Sequence, residues 1–346
     1  MSEVSITTDG GIAGDQPTGL ALGGVDFTVL HPVDVTLGPS RPCPRIIQSF
    51  LGQAWAILPD KLLAIAEFIA ARAVNGAAID VAGMVEAAEA RAARPGRAQG
   101  GVAVIPMIGV LAHRMNMLSA MSGGTSVQKL SADIDAALND SAVGSILLDI
   151  DSPGGSVEGI QELGDRIFEA RKVKPIVAVA NAMTASAAYW LGSQATELSV
   201  TPSGQVGSIG VVAMHEDWSA NQEAAGIKTT FVTAGKFKVE GNSYEPLNAE
   251  AHGAIQAVVD DHYAEFVAAV ARGRGVGKVA VRDGYGQGRM VRPKAALAEG
   301  MVDRIETFDQ ALSRLLGQET ARGNRMRAEA VQNVRSRRRR LHLATA

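Results

Sequence analysis

A serine and two lysines stand among small residues in the middle of the chain, a combination suited to nucleophilic catalysis. Ser186 lies in NAMTASAAYWLGSQA, residues 181–195, directly after the apolar run PIVAVA. Lys236 and Lys238 lie in TAGKFKVEGN, residues 233–242. A serine hydroxyl becomes an effective nucleophile when an adjacent base removes its proton. These residues predict covalent catalysis at Ser186, and either loop lysine is a candidate base.

Each feature taken alone also has a structural interpretation. An alanine-rich helix packed on a sheet accommodates Ser186 as a cap or as a small filler. Surface lysines are common, so neither lysine identifies a site by itself. His215, in VVAMHEDW, is a rival base because it follows Ser186 closely in the chain, at the predicted end of a strand. Further motifs are needed to decide between these interpretations.

Two glycine-rich turns supply that context. DSPGGS, residues 151–156, follows the apolar run SILLDI, and its glycines permit backbone conformations in which N–H groups point at a developing negative charge. This predicts an oxyanion hole, with Gly155 as a donor; the alternative is a tight turn in which Ser156 caps a helix. The second turn, GQVGSIGVV at residues 204–212, contains Ser208, a hydroxyl suited to holding a catalytic amine.

The surrounding pattern predicts the elements that position these residues. Short apolar runs alternate with amphipathic segments, which indicates a largely parallel sheet covered by helices on both faces, with its site at the carboxyl ends of the strands. The predicted strands are VAVIPM, SILLDI, PIVAVA, ELSVTP and TTFV, and the predicted helices span about 127–139, 156–172, 184–194, 249–272 and 294–299. Gly300 is predicted to end the helix at about 294–299.

The four motifs together resemble the signal peptide peptidase family of Ser/Lys peptidases, over roughly residues 100–315. The resemblance implies an α/β fold shared with the Clp protease and the crotonase-type hydratases, and no metal or nucleotide cofactor. It implies Ser186 as nucleophile and Lys238, rather than Lys236, as base.

The same resemblance assigns the supporting residues. Gly155 and the N–H of Ala187 are implied as oxyanion donors, with Gly154 supporting the turn and Ser208 hydrogen-bonded to the lysine. Ala187 and Ala188 replace a glycine pair that often follows the nucleophile in the family, which bears on how substrate fits. The pKa of a lysine that acts as a base must also fall by about 3 units from its usual value of about 10.4. We therefore expect a desolvated amine in the assembled site.

Composition and organisation set the wider frame. Hydrophobic residues form 47% and charged residues 20% of the chain, as expected for a globular enzyme. The sequence predicts a mobile arm at 1–42, a helical prelude and linker at 43–98, a peptidase domain at 99–318 and an Arg-rich tail at 319–346. A single cysteine, Cys43, and the absence of an apolar leader lead us to expect a cytoplasmic protein without a membrane anchor.

The tail and the biological setting complete the expectations. Residues 321–346 contain eight arginines and one glutamate, within a chain of net charge -3. The tail is predicted to be a solvated helix or arm, or else an electrostatic contact for DNA or an acidic scaffold.

The helical prelude resembles that of the phage members of the family, the head-maturation (prohead) proteases, which implies scaffold and capsid substrates and a homo-oligomer. A bacterial soluble peptidase, a crotonase-type acyl-CoA enzyme and a catalytically silent capsid-binding protein are the alternatives.

Overall fold

The computed structural model describes residues 52–74, 98–114 and 124–344. The predicted arm at 1–42 lies outside these residues, as do Cys43 and the parts of the predicted prelude and linker at 43–51 and 75–97. The elements in chain order are β1 (Trp55–Ile57), α1 (Pro59–Val74), β2 (Ala98–Gln99), β3 (Val102–Ile108), β4 (Leu111–Ala112), β5 (Thr125–Ser126), α2 (Val127–Asn139), β6 (Ser145–Ser152), β7 (Gly154–Ser156), α3 (Ile160–Ala170), β8 (Ile176–Ala185), α4 (Ala187–Gly192), β9 (Glu197–Val200), β10 (Gln205–Gly207), α5 (Ser219–Ala224), α6 (Ala249–Arg274), α7 (Lys278–Asp283), β11 (Met290–Val291), α8 (Pro293–Ala298), β12 (Arg304–Ile305) and α9 (Phe308–Ala344).

The predicted α/β architecture with a mainly parallel sheet is confirmed. The larger sheet runs in the order β11-β10-β8-β6-β3-β2, and β9 pairs with β8 and with β12. Strands β3, β6, β8, β9 and β10 pair in parallel, as buried apolar strands joined by helices do. A second sheet, in the order β1-β7-β4-β5, lies at the carboxyl end of β6. The second sheet contains the diglycine turn and therefore belongs to the site.

Helices cover the larger sheet because their apolar residues recur at helical spacing. The buried residues of α2 are Val127, Leu130, Ile134 and Ala137, and those of α3 include Ile160, Leu163 and Ile167. The start of α9 covers the opposite face, where Ala311 and Leu315 join Val102, Leu147 and Val177 in one buried cluster. Helix α4 is buried along its whole length, and Trp190 stacks on Phe266 of α6 with ring centroids 4.8 Å apart.

Three details of the sequence prediction are corrected and one is confirmed. Ser156 does not cap a helix, because residues 154–156 form β7 and the N-cap of α3 is Gly159. TTFV, residues 229–232, does not form a strand. His215 is not at the end of a strand either, because it lies three residues beyond Val212, which forms only an isolated bridge. Gly300, with φ +75°, ends α8 as predicted, and Met301 N–H donates to Ala296 O at 2.8 Å.

The C-terminal region is one long helix. The predicted tail boundary at residue 319 falls inside α9, whose residues 321–326 are exposed. None of the helices in the described part of the chain is long and apolar enough to cross a membrane.

An ion pair between the buried guanidinium of Arg274 and the partly exposed carboxylate of Asp303 fixes the C-terminal strand against β9. Arg274 donates to both carboxylate oxygens of Asp303 at 2.8 Å, and Leu198 N–H donates to Asp303 Oδ2 at 2.7 Å. Burial by itself raises the pKa of the Asp303 carboxyl, but these hydrogen bonds more than offset it and hold the pKa below its ordinary value of 3.8. The pair therefore contributes to stability only while Asp303 is ionised.

Removing that charge gives a pH-dependent prediction. We expect Asp303→Asn to lower the free energy of unfolding by about 1–2 kcal/mol at pH 7, a figure reduced for partial exposure of the carboxyl. Because the folded-state pKa is depressed, the contribution is complete above the unfolded value and is lost as the pH falls through the folded value. Urea unfolding at pH 7 and pH 3 should show the gap to wild type narrowing, with the exposed Glu223→Gln as control. A gap of equal size at both pH values contradicts this account.

Candidate active site

Ser186 occupies a sharp turn between the end of β8 and the start of α4. Its φ and ψ are 54° and -120°, and a residue other than glycine in such a conformation costs about 1–3 kcal/mol. Two hydrogen bonds hold it there: Ser186 N–H donates to Gly207 O at 2.7 Å, and Trp190 N–H donates to Ser186 O at 2.9 Å. Its hydroxyl donates to Gly210 O at 3.3 Å. The strand-to-helix turn therefore fixes the side chain at the carboxyl end of the parallel sheet.

The diglycine turn lies directly against Ser186. Gly154 has φ +100°, and a methyl group added to it would lie 3.0 Å from Ser186 Cβ. A methyl group on Gly155 would lie 1.8 Å from Leu111 O, so the close approach of β4 also requires glycine. The fold thus brings together two of the motifs identified in the sequence.

The two predicted oxyanion donors take different positions. Ala187 is the first residue of α4, and the first N–H groups of a helix have no acceptor within it. Because α4 has only six residues, the helix adds little dipole beyond these N–H groups. Gly155 lies in β7 between β1 and β4, paired with Ala56 on one side and with Leu111 on the other.

Ser152 is a supporting residue that the sequence reasoning missed. It is fully buried; its hydroxyl donates to Gly109 O at 2.7 Å and accepts from Gly154 N–H at 3.2 Å. These two bonds tie the diglycine turn to the end of β3. The residue lies within the DSPGGS motif, but its role depends on contacts distant in sequence, and the motif alone gives no signal for them.

Ser208 is connected to Ser186 through a main-chain hydrogen bond of its neighbour Gly207. It directly follows Gly207, the residue whose carbonyl accepts from Ser186 N–H, and it is buried with φ 53°. Its own N–H donates to Arg289 O at 2.9 Å. The main chain of the second glycine-rich turn therefore lies against that of Ser186.

The lysine loop, residues 233–242, carries both candidate bases at the protein surface. Lys238 is exposed, and among the described residues no hydrogen bond joins it to Ser186 or Ser208. Lys236 is held at the surface, where its amine contacts Glu250 Oε1 at 2.7 Å and lies 4.4 Å from the centre of the Phe237 ring. The two candidate bases therefore differ: Lys236 is engaged in an ion pair, whereas Lys238 projects without one in the described structure.

His215 is engaged elsewhere. Its Nε2 lies 3.0 Å from Asn242 O, a hydrogen bond to the main chain of the lysine loop. The Nε2 atom of His215 is therefore occupied by a hydrogen bond that links the ring to the backbone of this loop. In this geometry His215 bonds the loop and not the serine.

Two carboxylates lie at the end of β6, just before Ser152. Burial raises the pKa of Asp149, although Asn181 Nδ2 donates to it at 3.0 Å and lowers it in part. Burial also raises the pKa of Asp151, against a lowering hydrogen bond from the backbone of Met183. The surroundings of both carboxyl groups therefore disfavour their ionised form.

Comparison with known proteins agrees with the motifs. Residues 169–321 match peptidase family S49. The chain is 33% identical over 223 residues to the head-tail preconnector protein GP5 of Enterobacteria phage P21, covering 64% of this chain and 44% of that protein. It is 32% identical over 236 residues to the capsid assembly protease C of Escherichia phage lambda, covering 68% and 53%. It is 28% identical over 177 residues to a putative signal peptide peptidase SppA of Enterococcus faecium, covering 51% of each. The chain thus spans about half the length of these relatives.

Proposed function

We propose that the protein is a serine endopeptidase of peptidase family S49, the family whose model matches residues 169–321, and that Ser186 is its nucleophile. The observation that carries the proposal is the strained turn at Ser186, held against the diglycine turn of β7. Backbone strain of this kind persists where the surrounding structure enforces it, and it is concentrated at functional sites. A serine serving only as a helix cap needs no such conformation.

The proposed chemistry is acyl transfer through a Ser/Lys dyad. The neutral amine of Lys238 accepts the Ser186 proton as the hydroxyl oxygen attacks the peptide carbonyl carbon. The resulting oxyanion accepts hydrogen bonds from Gly155 N–H and Ala187 N–H, each contributing about 10²- to 10³-fold. The lysine then protonates the leaving amine, and water releases the acyl group by the reverse sequence. Ser208 is proposed to orient the lysine amine.

Two observations support Lys238 over its rivals. Lys236 is paired with Glu250, and His215 is bonded to the Asn242 carbonyl. Both groups would have to leave these partners to act as base. Lys238 requires only a movement of its exposed loop toward Ser186.

Desolvation of the lysine is proposed to depend on assembly. A lysine base needs a dry environment to be neutral near pH 7, and Lys238 is exposed in the single chain. The same loop exposes Phe231, Val232 and Phe237, with Val232 96% exposed. Large apolar side chains exposed to this extent in one short segment favour burial against another protein surface. We therefore propose a homo-oligomer in which a neighbouring subunit covers this loop and presses Lys238 into the site.

The proposed substrates are capsid or scaffold proteins of a phage head, cleaved during maturation. Support comes from the relatives, since one is named a capsid assembly protease and the other a head-tail preconnector protein. A bacterial peptidase resembling SppA is the alternative within the family. A catalytically silent capsid-binding protein and a crotonase-type enzyme are the alternatives outside this activity.

Mass spectrometry tests the substrate class. The purified protein is incubated with a candidate scaffold protein from the same genome, beside the Ser186→Ala variant and a general peptidase substrate such as casein. We expect discrete scaffold fragments only with the active serine. Casein cleavage without scaffold cleavage would favour the cellular peptidase, and the absence of any serine-dependent fragment would favour the silent binding protein.

The arginine-rich end of α9 is proposed as a separate contact. Residues 321–346 carry eight arginines against one glutamate, and the described part of this stretch is helical. A helix of this charge is attracted to an acidic scaffold or to DNA in a manner that weakens steeply with salt. Because this segment lies beyond the site, peptidase activity is proposed to be independent of it.

A further inference from the structure

A strand from the segment ahead of the family match lies across the site. Strand β1, Trp55–Ile57, pairs antiparallel with β7 on one side. On its other side Trp55 N–H donates to Val212 O at 2.8 Å, and Val212 N–H donates to Trp55 O at 2.9 Å. Strand β1 therefore fills the gap between the diglycine turn and the segment that follows Ser208, with main-chain hydrogen bonds on both edges.

The register places a specific carbonyl group at the predicted oxyanion donor. Leu58 N–H donates to Pro153 O at 2.9 Å, and in an antiparallel ladder the hydrogen-bonded pairs recur at every second residue. The next hydrogen-bonded pair is Ala56 with Gly155, so Gly155 N–H faces Ala56 O. This is the interaction that the carbonyl of a peptide substrate would make.

The same peptide lies beside the nucleophile. A methyl group on Gly154 would lie 2.2 Å from Ala56 O, 3.0 Å from Ile57 Cα and 3.0 Å from Ser186 Cβ. Ala56 O and Ser186 Cβ are thus no further apart than the sum of the first and third distances. Of the bonds in β1, the Ala56–Ile57 peptide is the one presented to Ser186.

The side chains of β1 alternate between two environments. Trp55 and Ile57 pack with Leu62 and Val110 in one cluster, whereas Ala56 faces the main core with Ala187. Ala56 and Ser186 are both 0% exposed. An external peptide therefore has no access to the serine while β1 is in place.

Resting on the proposed function, we propose that residues 54–58 occupy the peptide-binding cleft of the protein's own active site as a cis-acting inhibitory strand. Substrate peptides take its place by the same antiparallel pairing with β7, in an extended conformation, with a small apolar residue facing Ser186 and bulky apolar residues on either side. Tethering gives β1 a high effective concentration at the cleft, so it competes with free peptides until it is displaced. The exposed position of Lys238 explains why the strand remains uncut in this state.

A reversible cross-link tests the proposal on the full chain. Trp55 and Ser156 form a non-hydrogen-bonded pair, whose Cα separation of about 4.5 Å suits a disulfide. The double variant Trp55→Cys/Ser156→Cys is made in a Cys43→Ser background, with each single-cysteine variant as control. Reaction of Ser186 with a fluorophosphonate probe is measured before and after reduction of the disulfide.

The locked strand should block the probe. We expect labelling of the oxidised double variant to be at least about tenfold slower than that of the same protein after reduction, with no redox effect in the single-cysteine controls. Equal labelling of the oxidised and reduced forms overturns the proposal. Failure of the two cysteines to pair under oxidation also overturns it, because the register of β1 on β7 is then wrong.

A binding measurement separates this inference from the proposed peptidase activity. If no form is labelled, wild type included, Ser186 is not an activated nucleophile and the proposed function fails. Fluorescence anisotropy with a labelled peptide of residues 52–61, GQAWAILPDK, still reports on the cleft. Binding to the reduced double variant but not to its oxidised form supports the inhibitory strand, and equal binding to both forms contradicts it.

Discussion

Replacing Ser186 with alanine is expected to abolish proteolysis, lowering kcat by at least about 10³-fold. Removal of the nucleophile from a serine peptidase leaves only the residual rate provided by binding and oxyanion stabilisation. The substitution removes one hydroxyl whose hydrogen bond to Gly210 O is 3.3 Å long, so it should have little effect on the fold. Activity on casein and covalent labelling by a fluorophosphonate probe should be lost together.

The control for this variant is a serine far from the site. Ser141 is exposed in the turn after α2, at the opposite end of the parallel strands, and Ser141→Ala should retain wild-type activity and labelling. Thermal unfolding of both variants confirms that they are folded. Labelling that persists in Ser186→Ala, with proteolysis intact, would assign the nucleophile to another residue. A crotonase-type acyl-CoA enzyme would show no labelling of Ser186 in the wild type.

Replacing Lys238 with alanine is the second large effect that we expect, also a loss of about 10³-fold or more in kcat. Without a base the serine hydroxyl remains protonated at neutral pH, and loss of general-base catalysis alone costs about 10²- to 10⁴-fold. Lys238 is exposed in the described structure, so its removal should not destabilise the single chain. A loss of activity with unchanged thermal unfolding would therefore indicate chemistry rather than stability.

Lys236→Ala and His215→Ala provide matched comparisons in the same loop region. Lys236 forms an exposed ion pair with Glu250, worth about 1 kcal/mol or less, so its removal should leave most of the activity. His215→Ala should leave most of the activity too, because the ring bonds the loop backbone. Full activity of Lys238→Ala with loss of activity in either comparison variant would transfer the role of base to that residue.

The position of Lys238 also predicts how activity responds to concentration. If a neighbouring subunit desolvates the lysine loop, specific activity rises with protein concentration and falls when the exposed apolar side chains of the loop are made polar. Val232→Ser is suited to this measurement because Val232 is almost fully exposed in the single chain. Activity that is independent of concentration, with a monomer in solution, would contradict the requirement for assembly.

The elements predicted most closely were those with local patterns. The periodicity of α2 gave its bounds at residues 127–139, and the apolar run at 145–150 gave the main part of β6. These patterns succeed because burial of one helix face, or of a whole strand, imposes its period on the chain. The TTFV prediction failed because β-branched residues favour strands only where a neighbouring strand pairs with them, and Val232 has none there among the described residues.

Ser156 shows the same limit within the site. A serine before an acidic residue and an apolar run is a typical helix start, and the local pattern gave no reason to expect otherwise. Its actual place in β7 is set by β1 and β4, which pair with that strand from distant parts of the chain. Strand pairing with distant partners outweighs a cap worth about 1 kcal/mol.

The sequence by itself determined the parts of this protein that chemistry and local pattern encode: the candidate nucleophile, the two glycine-rich turns, the alternation of strands and helices, and the two loop lysines that are candidate bases. The tertiary structure decided what depends on distant contacts. It placed Gly154 against Ser186, enforced the positive φ of the serine, left Lys238 outside the site and laid β1 across it. Each of these follows from main-chain pairing and packing between segments far apart in sequence, and such contacts leave no periodic or compositional signal.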